Sequence, residues 1–450
     1  MKTTLIKNAN LVNEGKIILT DVLISRGRIE KIASSISLKN SSVKVIDAKG
    51  LYLIPGMIDA QVHFREPGLS SKASIYTESK AALAGGITSF MDMPNTLPNA
   101  TSRELLEQKY YLAEKNSLAN YSFFMGINKN NLEEALKIDT KLVCGLSDDG
   151  LYFDDEEGIM ANYPDYLEKL FSRTNSLVAL HCEDDSVINE NFTFYSDLYE
   201  GDIPIRCHPL IRSERACVMA TQRVVEIAKK HNSRVHVLHV STQSETEVLK
   251  SKLPIRDKRI TAEACIHHLW FSDNDYSRLG NFIKWNPSIK SEKDKKGLLQ
   301  ALKNNTLDSI ATDHAPHLFS EKVGDYKTSK SGGPLVQHAL PVLLELYHDG
   351  EISLEKIVEK TSHHVAEIYR IRDRGYIREG YYADLTLLDL NYPWTCTKEN
   401  LFYKCAWSPF ENFNFRSKIL QTFVNGHLVY DDGLFDESIN GKRLTFEKER

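Results

Sequence analysis

At 450 residues and 42% hydrophobic content, the chain is long enough for one large domain with a smaller appended unit. Its charged residues, 56 Lys and Arg against 61 Asp and Glu, give a formal net charge of -5 with no long run of one sign, which argues against nucleic acid as a partner. No apolar stretch approaches the roughly 18 residues of a membrane span, the first residues carry Lys2 and only short apolar pieces, and the seven cysteines stand singly without a CxxC pair; a soluble protein of a reducing, cytoplasmic compartment is expected, with no membrane association.

Residues 1–54 read as short strands joined by tight turns, with Asn-Glu-Gly and Arg-Gly as the turn signals. Similar texture returns in ADLTLLDL (383–390) and ILQTFVNGHLVYDDG (419–433), where Asn-Gly marks a hairpin. The two ends therefore pair into one small β unit, a β-sandwich domain built from 1–54 and 375–450. Between them, across 55–374, strand-length apolar runs alternate with helical patterns. GMIDAQVHF precedes a helix near 72–84, ITSFMDMP a helix near 102–116, and YSFFMG a helix near 131–137; KLVCGLS, SLVALHCE, RVHVLHVS, RITAEAC and SIATDHA follow. Eight such runs predict an α/β fold of the closed (β/α)₈ TIM-barrel type. An open doubly wound sheet would offer a Gly-rich phosphate turn after an early strand, and none is present. The segment 318–333, LFSEKVGDYKTSKSGG, has no apolar period and reads as a mobile polar loop at the barrel mouth.

Histidines and acids fall at the carboxyl ends of these runs: His63 after the first, Asn95 the second, Asp149 the fourth, His181 the fifth, His239 the sixth and Asp313 the eighth. In a (β/α)₈ barrel those ends meet on one face, so residues spread over the sequence converge in one pocket. Three imidazoles and two carboxylates in one place make a ligand set for Zn²⁺ or a similar ion. Arg65, two residues beyond His63, offers a guanidinium for bidentate capture of a substrate carboxylate. Asp313 is the candidate general base and acid, taking a proton from the attacking water and passing it to the departing nitrogen. Cys182 belongs to the core, and of His267 and His268 one is expected to support the site and the other to be merely buried.

The strings IPGMIDAQVHFREPG, MDMPNT, LHCED, HVLHVST, IATDHAPH and GYIREGYYADLTLLD, which occur in this order over nearly the whole chain, resemble the signatures of the amidohydrolase superfamily. QVHFREPG with MPN resembles its dihydroorotase branch. The resemblance implies that His63 and Asp313 bind one metal, that His181 and His239 bind another, and that Asp149 in the SDDG turn bridges them. It assigns Arg65 and Asn95 to the substrate carboxylate and places Asn286 and His317 at the substrate ring. His314 is left to packing or support. The implied reaction is reversible hydrolysis of the cyclic amide of 5,6-dihydroorotate to N-carbamoyl-aspartate, a step of pyrimidine synthesis, with these small molecules as the only partners beyond a homo-oligomer. A hydantoinase or allantoinase activity and a non-catalytic barrel acting as a structural partner are the rival readings.

The chain departs from the superfamily pattern at Gln61. Two imidazoles at i and i+2 on a strand project to one side and grip one ion; here that pair is Gln61 and His63. A glutamine amide is a poor zinc ligand, so one tightly bound Zn²⁺ is expected at Asp149, His181 and His239, and a second, weaker one at His63 and Asp313.

Overall fold

The structure is a computed structural model that describes residues 3–38, 43–151 and 160–447. Near the amino terminus, Thr4–Asn13, Lys16–Ser25 and Arg28–Ala33 form an antiparallel meander. Its two-residue turns, Glu14-Gly15 and Arg26-Gly27, have positive φ at both positions, the twist that matches a right-handed hairpin. The predicted Asn425-Gly426 hairpin has the same geometry and joins Lys418–Val424 to His427–Asp431. The two chain ends meet where Leu385–Asp389 runs antiparallel between Tyr52–Pro55 and Lys418–Val424, uniting both into one nine-stranded sheet.

The eight predicted runs all become parallel barrel strands: Met57–Val62, Ile87–Asp92, Asn120–Phe123 continued by Met125–Gly126, Leu146–Ser147, Val178–Leu180, Val235–Val237, Ile260–Cys265 and Ser309–Ala311. The barrel closes between the first and the eighth, where Val62 bridges His314 and the amide of His63 donates to the His314 carbonyl at 2.7 Å. Nearly every strand residue is buried, because helices cover the outer face while side chains fill the inner one.

Covering helices begin where the sequence places capping residues. Ser74, Ser102, Ser213 and Ser291 each accept from a backbone amide in the first turn of Ile75–Ala84, Arg103–Asn116, Glu214–His231 and Glu292–Lys303. In Glu214–His231 the buried residues Cys217, Ala220, Thr221, Val224 and Ala228 recur at intervals of three and four, and Lys229, Lys230 and His231 occupy the last turn, where cations oppose the helix dipole. The helix expected near 131–137 is only the single turn Leu132–Ala135. Among the described residues no helix is long and apolar enough to cross a membrane.

The segment 318–333 differs from the irregular mobile loop expected of it. It contains the helical turn Phe319–Lys322, and the side-chain nitrogen of Lys322 is buried against main-chain carbonyls. A polar composition conceals this, because a lysine whose nitrogen is met by backbone oxygens leaves no apolar period to read.

Candidate active site

The chain leaves regular strand geometry where its functional side chains stand. Arg65, His239 and Asp313 have φ of 64°, 35° and 50°, a left-handed conformation that costs a non-glycine residue of order 1–3 kcal/mol and collects at functional sites. The first strand places Gln61 and His63 on one side, the fourth ends at Asp149, and the fifth, sixth and eighth lead into His181, His239 and Asp313. All six are buried.

Their ligand atoms form two groups sharing Asp149. In one, His181 Nδ1 and His239 Nε2 are 3.0 Å apart and each lies 3.7 Å from Asp149 Oδ1. Ligands of a tetrahedral ion with bonds of about 2.0–2.1 Å stand roughly 3.3 Å from one another, so these separations fit. The chemistry fits as well. His181 Nε2 donates to Glu183 Oε2 at 2.8 Å, which turns its Nδ1 toward the cage, an arrangement that orients metal-binding imidazoles. Arg212 in turn pairs with Glu183 and holds that carboxyl well below its usual range against the effect of burial.

In the other group, His63 Nε2 lies 3.1 Å from Asp313 Oδ1 and 3.2 Å from Asp149 Oδ2. His63 Nδ1 donates to Asn95 Oδ1 at 2.7 Å, so Asn95 orients the imidazole that the carboxylates share. Burial opposes charge on His63, but Asp149 and Asp313 outweigh it and raise the imidazole to about 10. Asp149 itself is held well below the usual carboxylate range: burial is outweighed by hydrogen bonds from His181, His239 and His63. Asp313 moves the other way, pushed up by burial more than His63 pulls it down. One carboxylate is therefore kept anionic for binding, and the other is moved toward the range of a proton carrier.

Gln61 meets Asp149 as a donor: its Nε2 donates to Asp149 Oδ2 at 2.9 Å, and its Oε1 accepts from the Cys265 thiol at 3.4 Å. This second group thus has an amide N–H where an imidazole lone pair was expected to be missing, and its donor set suits an ion less well than that of the first.

A cavity opens onto this cluster, lined by His63, Arg65, Asn95, Asp149, Trp285, Asn286, Asp313, Ser331 and Gly332 among others. Arg65 Nε donates to the Pro316 carbonyl at 3.1 Å, fixing the guanidinium in the wall. Asn286 Oδ1 is buried without a hydrogen-bond partner among the described residues, an acceptor left for a ligand. His317 is not among the lining residues; it stands behind Arg65, with Nε2 3.2 Å from Arg65 Nη2 and 2.9 Å from the Ser331 carbonyl, and Nδ1 3.1 Å from Lys72 Nζ. His267 stacks on Trp285 with centroids 4.6 Å apart, while His268 reaches the Pro287 carbonyl. His314 is structural, bound to Glu78 at 2.9 Å and accepting from the Leu335 amide. Cys182 is buried, and burial raises its thiol well above the ordinary value, so it stays protonated.

Several contributors escape sequence reasoning. Glu183 could have been found, since it stands two residues after His181. Arg212, Cys265 and the buried pair of Lys109 with Asp92 at 2.6 Å, whose Asp92 Oδ1 accepts from the Phe64 amide beside the site, carry no local signal.

A barrel with a buried His/Asp cage at the carboxyl ends of its strands defines a class of enzyme, and the chain belongs to the amidohydrolase family of metal-dependent hydrolases, whose model matches residues 52–429. Its curated relatives point to one branch. The chain is 32% identical to the dihydroorotase of Methanosarcina mazei over 97% of its own length and 95% of that protein. It is equally 32% identical to the dihydroorotase of Elusimicrobium minutum, over 95% and 98%. In fold it is similar to the L-hydantoinase (dihydropyrimidinase) of Arthrobacter aurescens, with a TM-score of 0.90 at 23% identity, covering 99% of this chain and all of that one.

Proposed function

We propose that the chain is a dihydroorotase, interconverting 5,6-dihydroorotate and N-carbamoyl-aspartate with one tightly held zinc ion at Asp149, His181 and His239. The observation that carries this reading is the placement of Arg65 and the Asp149/Asp313 cluster in one buried cavity. It offers a cation for the substrate carboxylate beside an ion cage for the amide, and a neutral ring would leave the buried guanidinium without an anionic partner.

Bound in the cage, a divalent ion supplies Lewis acidity that polarises the amide carbonyl and acidifies water near neutral pH. The side chains do the rest. Arg65 holds the carboxylate, and the Pro316 carbonyl, which accepts from its Nε, keeps the guanidinium in place. Asn286 Oδ1 accepts from a ring N–H. Asp313 takes the proton of the attacking water and delivers it to the nitrogen that leaves the carbonyl carbon, and Asn95 maintains the His63 orientation that positions Asp313. In the closing direction Asp313 removes the proton from the ureido nitrogen as it attacks the carboxyl carbon and passes it to the departing hydroxyl, which leaves as water. Trp285 and the Ser331–Gly332 main chain narrow the cavity and limit water.

The reading is tested by assaying dihydroorotate hydrolysis, with hydantoin and allantoin as competitors, and measuring metal content by elemental analysis on the same sample. Turnover of dihydroorotate together with about one firmly held zinc per chain is expected. Metal-free protein without turnover would favour a structural subunit, and preference for a neutral ring would favour a hydantoinase.

A further inference from the structure

Asp59 stands one layer beneath the ligand cage, on the side of the first strand that Gln61 and His63 share, and it is fully buried. Its Oδ1 accepts from the main-chain amides of Thr312 at 3.1 Å and Gln61 at 3.3 Å, and its Oδ2 meets the Thr312 hydroxyl at 2.6 Å. The Thr312 hydroxyl oxygen in turn accepts from the His314 amide at 3.0 Å, across Asp313. Burial pushes Asp59 up to about 7, yet either form keeps the contact. Ionised, Oδ2 accepts the hydroxyl hydrogen; protonated, it donates to the hydroxyl oxygen, whose own hydrogen then faces the Gln61 carbonyl 3.5 Å away.

These bonds enclose a strained residue. Asp313 has φ of 50°, a conformation that a non-glycine residue keeps only where its surroundings impose it. Closing the seam between the first and eighth strands does not itself need an acid, since the His63 amide and the His314 carbonyl do so through main chain alone. Burying a carboxyl there is costly where apolar side chains could fill the space. What Asp59 adds is a fixed direction for the turn, which brings the Asp313 carboxylate to 3.1 Å from His63 Nε2.

We infer that Asp59 and Thr312 are positioning residues, which hold Asp313 at the angle its proton transfer requires without touching substrate themselves. The inference rests on the assignment of the proton to Asp313 in the proposed reaction.

Steady-state kinetics of dihydroorotate hydrolysis and crystal structures test this on Thr312→Val, Asp59→Ala and Thr312→Ser, with the kinetics repeated in an Asp313→Asn background. Thr312→Val fills the same space without the hydroxyl. It and Asp59→Ala are expected to lower kcat about 10²-fold, the cost of misplacing a reacting group by about 1 Å. KM should stay within about threefold, because Arg65 and Asn286 are untouched. Thr312→Ser, which keeps the hydroxyl, should remain within about threefold of wild type in both constants. In the Asp313→Asn background neither substitution should lower kcat further, since residues that act through one group do not add. In the crystal, the Asp313 carboxylate is expected to leave His63 in Thr312→Val and to stay beside it in Thr312→Ser. An equal fold loss in the Asp313→Asn background, or a Thr312→Val structure with that carboxylate in place, overturns the inference; the threonine variants decide it if Asp59→Ala does not fold. A wild type that fails to hydrolyse dihydroorotate counts against the proposed reaction, and the crystal comparison then decides the positioning by itself.

Discussion

At the scale of single residues, the site separates two carboxylates by environment. Asp149 is surrounded by imidazoles and stays anionic, while Asp313 is raised by burial. A group that moves a proton acts mainly in the transition state. Asp313→Asn is therefore expected to lower kcat by about 10²–10⁴-fold with a much smaller change in KM; steady-state kinetics that retained more than about a tenth of wild-type kcat would assign the proton to another group. Gln61 is the second residue to test. Its N–H already occupies Asp149 Oδ2, the oxygen nearest His63, so a second ion would have to displace that hydrogen bond. Gln61→His should raise the metal retained after mild chelation from about one ion per chain toward two, since an imidazole supplies a zinc ligand where the amide does not. Two firmly held ions in the wild type would show that Gln61 turns its oxygen inward and completes the site.

Among the elements, the segment 318–333 acts as a stapled wall. Lys322 ties its two ends together, Lys284 holds its middle at Tyr326 and Ser329, and Ser331 and Gly332 present main chain to the cavity. Gly332 has φ of 116°, and a Cβ there would come within 2.5 Å of the Ala315 carbonyl, so the wall is pressed directly onto the turn that carries Asp313. Replacing 323–329 with a short Gly-Ser linker should therefore raise KM and lower kcat; it also removes the Tyr326 and Ser329 carbonyls that hold buried Lys284, so a lower thermal midpoint is expected while the circular dichroism of the barrel, whose strands these residues lie outside, stays close to wild type. Unchanged kinetics in the shortened protein would show that the wall has no part in turnover.

Over the whole molecule, the small sheet and the barrel are joined by a buried polar knot. Arg374 pairs with Asp384, the Asn425 amide donates to Asp384 Oδ1 at 2.7 Å, and Asn120 of the third barrel strand donates to Asp384 Oδ2 at 3.2 Å. Removing one partner strands the other charges away from water, which costs about 3–5 kcal/mol. Asp384→Ala should lower the denaturation midpoint accordingly while the folded fraction keeps its metal, since the knot lies apart from the ligand cage. A midpoint within about 1 kcal/mol of wild type would mean that packing alone holds the two units together.

The knot marks the boundary between what local sequence determines and what assembly decides. Strand-length apolar runs, serine caps and the Asn-Gly turn act over a few residues, so the eight strands, the main covering helices and the convergence of His63, Asp149, His181, His239 and Asp313 were legible from residue order alone. Other features depend on groups that meet only after the barrel closes. Asn95 gives its oxygen to His63, Glu183 and Arg212 set the face that His181 presents, Gln61 donates to Asp149, and Lys322 and Lys284 turn a polar loop into a wall. Apart from Glu183, which stands two residues after His181, the partners are distant in sequence, chosen by burial in a shared space that no local pattern encodes.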